Sequence, residues 1–226
     1  MATLQAQDFI ERSPLYRKQA GATLGRLGDS VIVAHYGEHD ESAQLARCAL
    51  IDLTNLARVG FRGAQSAEYL KERGYALPEA PNRALTQDDG SHVARLSQTE
   101  YLLLGSLRDA GRRVAQEERN WEFGEAANYL LPRQDSHAWL LLTGEHVSDV
   151  MAKLCGVDLS PEAFPQGSVA QTSAARINVI VINLGLGELP CFQILCDRAS
   201  VSYFWDAMLD AMAEFGGKPA GIDVLL

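Results

Sequence analysis

Apolar residues recur along this chain in two rhythms, and the rhythms alternate. Val147, Val150, Met151 and Leu154 fall at i, i+3, i+4 and i+7, the spacing of one helix face. Val201, Phe204, Trp205, Met208, Met212 and Phe215 extend the same period over a longer stretch. Asp197 or Ser200 can cap its start, and Gly216-Gly217 with Pro219 stops it. Ser66–Arg73 reads as a third helix, closed by Gly74 and Pro78, and Ser42–Arg47 as a short fourth. The intervening apolar runs read as strands: Val31–Tyr36, Ala49–Asp52, Ala57–Phe61, Ala138–Leu142, Val169–Thr172, Ala175–Ile182 and Cys191–Cys196. Val93–Leu96 and Tyr101–Leu104 form a hairpin across Ser97–Glu100.

The segments Val59–Ala80 and Leu141–Ala163 share one grammar. Each opens with an apolar run ending in glycine, Gly63 or Gly144, and turns into an amphipathic helix carrying an acid followed by two apolar residues. Each then stops at Gly74 or Gly156 and runs on to Pro-Glu-Ala. This duplication predicts two related strand-turn-helix repeats in an α+β fold, with mixed or antiparallel sheets carrying helices on one face. The chain divides accordingly into an N-terminal lead-in (1–48), a first α+β repeat (49–107), a connector (108–137) and a second α+β repeat (138–226). The lead-in is polar and glycine-containing over 1–30 and reads as weakly structured. The connector mixes Arg108, Arg112, Arg113 and Arg119 with Glu117, Glu118, Glu122 and Glu125, the pattern of a solvated helix or a partner-facing link.

The 226 residues and 47% hydrophobic content allow a substantial core. A formal charge of −9 argues against nucleic acid or an anionic membrane as the main partner. The first residues interleave acids and amides where a signal peptide needs an apolar centre, and no apolar run approaches the ~18 residues of a membrane span. A soluble, cytoplasmic protein is expected. Its four cysteines, at 48, 155, 191 and 196, lack metal-like spacing. Cys191 and Cys196 fall on opposite faces of a strand and should stay unbridged.

Candidate chemistry is sparse. His35 and His39 are four apart, but Tyr36-Gly37 breaks any helix and no third ligand follows, so no metal site is expected. Gly185-Leu-Gly187-Glu188 lacks the third glycine and the following helix of a phosphate loop, and reads as a hairpin turn. The short Gly-Ser sequences lack the geometry of a nucleophile elbow, so no catalytic residue is assigned. Arg176 interrupts an apolar strand, and Glu188 lies across the following hairpin. Such a pair could hold a carboxylate or heterocycle, or be a strand-edge arginine matched to an acid.

Several segments together resemble a known family. Ile51-Asp52-Leu53-Thr54, the Arg58–Gly63 strand and turn, the helix to Leu70, Val93–Leu104, Gly144–Leu159, Ala170–Arg176 and the Tyr203–Phe215 helix are similar to the aminomethyltransferases of the glycine-cleavage T-protein type. They are closer to its shortened version, the gamma subunit of heterotetrameric sarcosine oxidase, and similar subunits occur in N-methylglutamate dehydrogenase complexes. Two departures stand out. Tyr75–Asn82 offers no counterpart to the family's acid near the transferred one-carbon unit, and the Thr-Gly-Glu segment is reduced to Gly-Leu-Gly-Glu188. The resemblance implies a non-catalytic packing subunit that binds no cofactor itself. Its partners would be alpha, beta and delta subunits, and FAD, FMN, NAD and tetrahydrofolate would be held elsewhere in the complex. The rival is a stand-alone tetrahydrofolate-binding protein, with a pocket between the halves built from Arg176, Glu188 and Trp139.

Overall fold

Two β-sheets lie face to face, and each is covered on its outer side by helices. The computed structural model describes residues 4, 5, 9 and 11–226. A lead-in hairpin, β1 (Thr23–Leu27) and β2 (Ser30–His35), is followed by α1 (Glu41–Arg47) and β3 (Ala49–Asp52). The first repeat contains β4 (Arg58–Arg62), α2 (Ser66–Glu72), β5 (Arg83–Thr86), β6 (His92–Arg95), β7 (Glu100–Leu104), α3 (Arg112–Arg119) and β8 (Tyr129–Pro132). The second contains β9 (His137–Thr143), α4 (Val147–Leu154), β10 (Val169–Ala174), β11 (Ile177–Asn183), β12 (Cys191–Asp197), α5 (Val201–Ala213) and β13 (Lys218–Ala220). One sheet has the order β5-β6-β7-β4-β8 and the other β10-β11-β12-β9-β3-β13. All neighbours are antiparallel except β13 and β3, which are parallel.

Side-chain alternation sorts the core into three layers. In β9, Ala138, Leu140 and Leu142 meet α4 and α5, whereas Trp139 and Leu141 enter the space between the sheets. In β7, Leu102 and Leu104 enter that space, while Tyr101 and Leu103 face Leu70 of α2 and Val114 of α3. Strands buried on both faces read as unbroken apolar runs, which is why Leu102–Leu104 and Leu140–Leu142 show no alternation. Each sheet therefore carries helices on one face, and the two bare faces pack together.

The duplication extends to individual hydrogen bonds. Gly63 N–H donates to Thr99 O at 3.0 Å, and Gly144 N–H to Pro190 O at 3.1 Å, each acceptor immediately preceding a strand that pairs with the glycine's own strand. Gln65 N–H donates to Ala127 O and Glu145 N–H to Ala46 O, at 3.0 and 2.9 Å, where each chain approaches its next strand, β8 or β3. At both glycines φ is positive, +147° and +115°. A Cβ on Gly63 would lie 2.1 Å from Ala127 O, and one on Gly144 2.5 Å from Arg47 C and O. The turn needs glycine because another backbone crosses over it.

Several elements depart from the sequence reading. The described part of the lead-in is structured: Gly28-Asp29 links β1 to β2, and Leu15 is fully buried in the core that α4 and α5 cover, while residues 1–3, 6–8 and 10 lie outside the described residues. Ala49–Asp52, expected to open the first repeat, hydrogen-bonds to β9 in the sheet of the second. The stretch 108–137 contributes α3, whose Val114 is buried, and β8, which pairs with β4. The strands β5, β8 and β13 are three or four residues long, too short for a periodic signal. β11 begins after Arg176, because Ala175 and Arg176 take positive φ in a tight hairpin turn.

Replacing Gly144 by alanine should destabilise the protein by about 3 kcal/mol and lower Tm by roughly 6–12 °C. Thermal unfolding of Gly144→Ala and Gly63→Ala should show comparable losses; Gly124→Ala, where a Cβ meets nothing within 4 Å, serves as the control.

Candidate functional site

The chain leaves the six-stranded sheet at Asp52, crosses through Leu53–Ala57, and enters the five-stranded sheet at Arg58. It returns through Arg133–Ser136 into β9. Arg58 lies between these crossings and is 1% exposed. Its Nη1 donates to Thr54 O, Leu56 O and Gln134 Oε1 at 2.7, 2.9 and 3.3 Å. Nη2 donates to Gln134 O at 3.0 Å and to His137 O, and Nε donates to His137 O at 2.9 Å. Burial, assisted by Arg198, lowers its pKa to about 9, with Asp52 and Asp135 opposing the shift.

Asp52 is the second buried charge of the crossing. One carboxylate oxygen accepts from Ser13 Oγ and from Gln19 Nε2 at 2.7 Å; the other accepts from Thr54 N–H at 2.9 Å. Thr54 Oγ1 in turn accepts from Trp139 N–H at 3.2 Å. These bonds tie the lead-in to the crossing and form the floor of a cavity of about 560 Å³. Its walls are Leu24, Val31, Ile32 and Val33, and Asn55 adds an amide whose Nδ2 donates to Val31 O at 2.5 Å. Arg12 and Arg17 lie 4.5 and 5.3 Å from the Tyr16 ring centroid at the rim. The result is a cavity of mixed lining, with the hydrogen-bonded Asp52, the guanidinium groups of Arg12 and Arg17 and the apolar Leu24, Val31 and Val33, suited to a ligand with both apolar and anionic parts.

The residues nominated from sequence do not assemble. Arg176 is exposed at the tip of the β10–β11 hairpin. Glu188 is exposed in the turn after β11, beyond the opposite end of that strand. A seven-residue strand spans roughly 23 Å, so the two cannot share a ligand. Trp139 is buried between the sheets, with Nε1 donating to Gln193 Oε1 at 2.7 Å. Ser13 and Gln19 of the cavity leave no signal in the sequence pattern, because each meets Asp52 only through tertiary structure. Asp52 itself was visible as part of a family motif.

Other motifs resolve plainly. His35 Nδ1 lies 3.1 Å from Asp223 Oδ2, and His39 Nε2 lies 3.1 Å from Pro219 O. Among the described residues no group of three His, Cys, Asp or Glu side chains could share a metal ion. Gly185–Glu188 forms a hairpin turn, with Leu186 and Leu189 bridged across it. All four cysteines are free and buried, Cys191 facing the inter-sheet core and Cys196 the α4–α5 core. Burial pushes the Cys191 thiol up to about 12. No helix among the described residues is long and apolar enough to cross a membrane.

The fold defines a class, a pseudo-symmetric α+β domain of two facing sheets with outer helices. Residues 81–225 match the GCVT N-terminal domain family, and the chain belongs to that family. An aminomethyltransferase of Saccharopolyspora erythraea is 24% identical over 194 residues, covering 81% of this chain and 52% of that protein. The chain thus spans about half the length of this curated relative. Among solved structures, a chain of heterotetrameric sarcosine oxidase from Corynebacterium sp. U-96, in complex with pyrrole 2-carboxylate, superposes with a TM-score of 0.66 at 22% identity. That match covers 93% of this chain and 98% of the other. Glycine cleavage system aminomethyltransferase T from Bartonella henselae gives 0.69 at 17% identity, covering 93% of this chain but 59% of its own. The T-protein-like fold is thereby shown.

Two histidines make stability depend on pH. Burial, then the Arg133 and Arg58 charges, lowers the His137 pKa to about 4; burial, opposed by Asp89, lowers that of His92 to about 4. An unfolded histidine titrates near ~6.5, so the unfolded chain binds more protons between about pH 4 and ~6.5. Stability should be complete above that window and fall as pH drops through it. Tm measured from about pH 7 to about pH 5 should decline, and His92→Gln with His137→Gln should flatten the decline.

Proposed function

We propose that this chain is a gamma-type accessory subunit of a sarcosine oxidase-type complex that oxidatively demethylates sarcosine or a related N-methyl amino acid in the cytoplasm. Its partners are alpha, beta and delta subunits, which carry FAD, FMN and NAD and pass the one-carbon unit to tetrahydrofolate. This chain contributes a preformed surface that buttresses them and takes no part in the chemistry. The observation that carries the reading is the superposition on a chain of heterotetrameric sarcosine oxidase, with a TM-score of 0.66 over 93% of this chain and 98% of the other. A permanent interface of this kind buries more than ~2,000 Å² and is apolar at its centre. Co-expression with the alpha, beta and delta subunits of such a complex should yield a stable assembly on size exclusion. A monodisperse monomer that ignores those subunits would refute the reading.

The cavity above Asp52 favours a second reading, a chain that binds tetrahydrofolate by itself. Leu24, Val31 and Val33 offer apolar walls to a heterocycle, and Arg12 and Arg17 offer guanidinium groups to carboxylates. Calorimetric titration of the isolated chain with tetrahydrofolate decides it. On this reading heat is released and Arg17→Ala weakens binding at least ~10-fold, the effect of losing ~1.4 kcal/mol; absence of heat removes it.

A further inference from the structure

The internal symmetry fails at one edge. β4 corresponds to the C-terminal part of β9, and each has a neighbour in the same register. Arg62, Phe61, Gly60 and Val59 pair with Tyr129, Leu130, Leu131 and Pro132. Thr143, Leu142, Leu141 and Leu140 pair with Ala49, Leu50, Ile51 and Asp52. β8 and β3 therefore hold the same place in their sheets. Beyond β3 lies one more strand: β13 runs parallel to it and pairs with Ala49, Leu50 and Ile51. Beyond β8 no strand follows among the described residues, and β8 is the edge of its sheet. All four residues of β3 are buried, whereas Tyr129 and Pro132 of β8 are exposed and Leu130 and Leu131 half-buried.

The open edge adjoins an aromatic cluster. Phe123 is 77% exposed and Tyr129 50% exposed. The Phe123 ring lies 6.3 Å from that of Trp121 and 6.5 Å from that of Tyr129. Edge strands are normally shielded by charge, proline or brevity, because unpaired backbone groups recruit other strands. Pro132 does not close this edge: its counterpart Asp52 lies one residue past the positions that β13 pairs. Large apolar rings beside an open edge do the opposite of shielding and mark a contact surface. Two exposed acids, Glu122 and Glu125, flank the cluster on a stretch, residues 120–132, that carries no lysine or arginine, while the exposed Arg62 adjoins Tyr129 from the inner strand β4.

We propose that β8 accepts an extended segment of a partner polypeptide, laid parallel along Tyr129–Leu131 in the place that β13 occupies in the other sheet. Its apolar side chains cover Phe123 and Tyr129, and its lysine or arginine residues face Glu122 and Glu125. Main-chain hydrogen bonds supply the ladder; the aromatic rings and acids select the sequence. This inference rests on the accessory-subunit reading, and it identifies the face that meets another subunit.

Hydrogen–deuterium exchange on the free chain and on the co-purified complex tests it. In the complex, the amides of Tyr129–Leu131 should exchange at least ~10-fold more slowly than in the free chain. Phe123→Glu and Tyr129→Glu should each weaken assembly at least ~10-fold with Tm unchanged, whereas Tyr203→Glu, on an exposed residue of α5, should not. A complex that forms with β8 exchanging as in the free chain overturns the docking site and leaves the subunit reading standing. Failure to assemble at all overturns both. Protection that rises with concentration of the isolated chain assigns the edge to a second copy and overturns the proposal.

Discussion

The guanidinium of Arg58 holds both passages of the chain between the sheets. Its donors end on Thr54 and Leu56 in the outgoing passage and on Gln134 and His137 in the returning one. A buried ion loses several kcal/mol of hydration, which is recovered only where its hydrogens meet well-placed acceptors. That requirement couples the two passages: neither backbone segment can move without stranding the charge. Lysine could not substitute, since an ammonium lacks the planar fork that reaches four carbonyls and an amide at once. With the crossings fixed, the bare faces of the sheets are brought together over Trp139, Leu141, Leu102 and Leu104.

The repeat was legible because glycine at Gly63 and Gly144 answers a backbone requirement that no other residue meets, so the pattern survives divergence of everything around it. The longer helices were legible because each buries one stripe against a sheet. The edge strands were not. β13 has three residues, and β8 exposes two of its four, so neither leaves a pattern distinguishable from a loop. The turn at Ala175-Arg176 carries no glycine, asparagine or aspartate to announce its positive φ, so the strand was read straight through it. An unbroken strand there would set Arg176 facing Glu188, and the turn instead puts Arg176 at the hairpin tip. The cavity over Asp52 was hidden for another reason. Its hydrogen bonds join residues 33 and 39 positions apart, through a lead-in whose composition resembles a loop.

The two halves have diverged in how completely they enclose themselves. α5 spans thirteen residues and buries six, including Phe204, Trp205 and Met208. Its counterpart α3 spans eight and buries one, Val114, while its arginines reach Asp109, Asp89 and the carbonyl of Gly74. The second half is finished by apolar packing. The first is finished largely by ion pairs and cation–π contacts, such as Arg73 with Glu117 at 2.6 Å and Arg113 4.1 Å from the Tyr75 ring centroid. Surface pairs of this sort contribute little each, so the first half has less intrinsic cohesion and more to gain from contact with another protein.

The parallel pairing of β13 with β3 joins residues 218–220 to residues 49–51. One sheet thus takes strands from both sides of the first repeat, which becomes an excursion inserted into the second. The halves are related in shape yet inseparable in sequence: a chain severed between them would take β3 from the second sheet and leave β13 without a strand to pair with. Closure of that clasp, the contact of greatest sequence separation in the sheet, must await synthesis through residue 220, so the six-stranded layer is completed only after both repeats have been made.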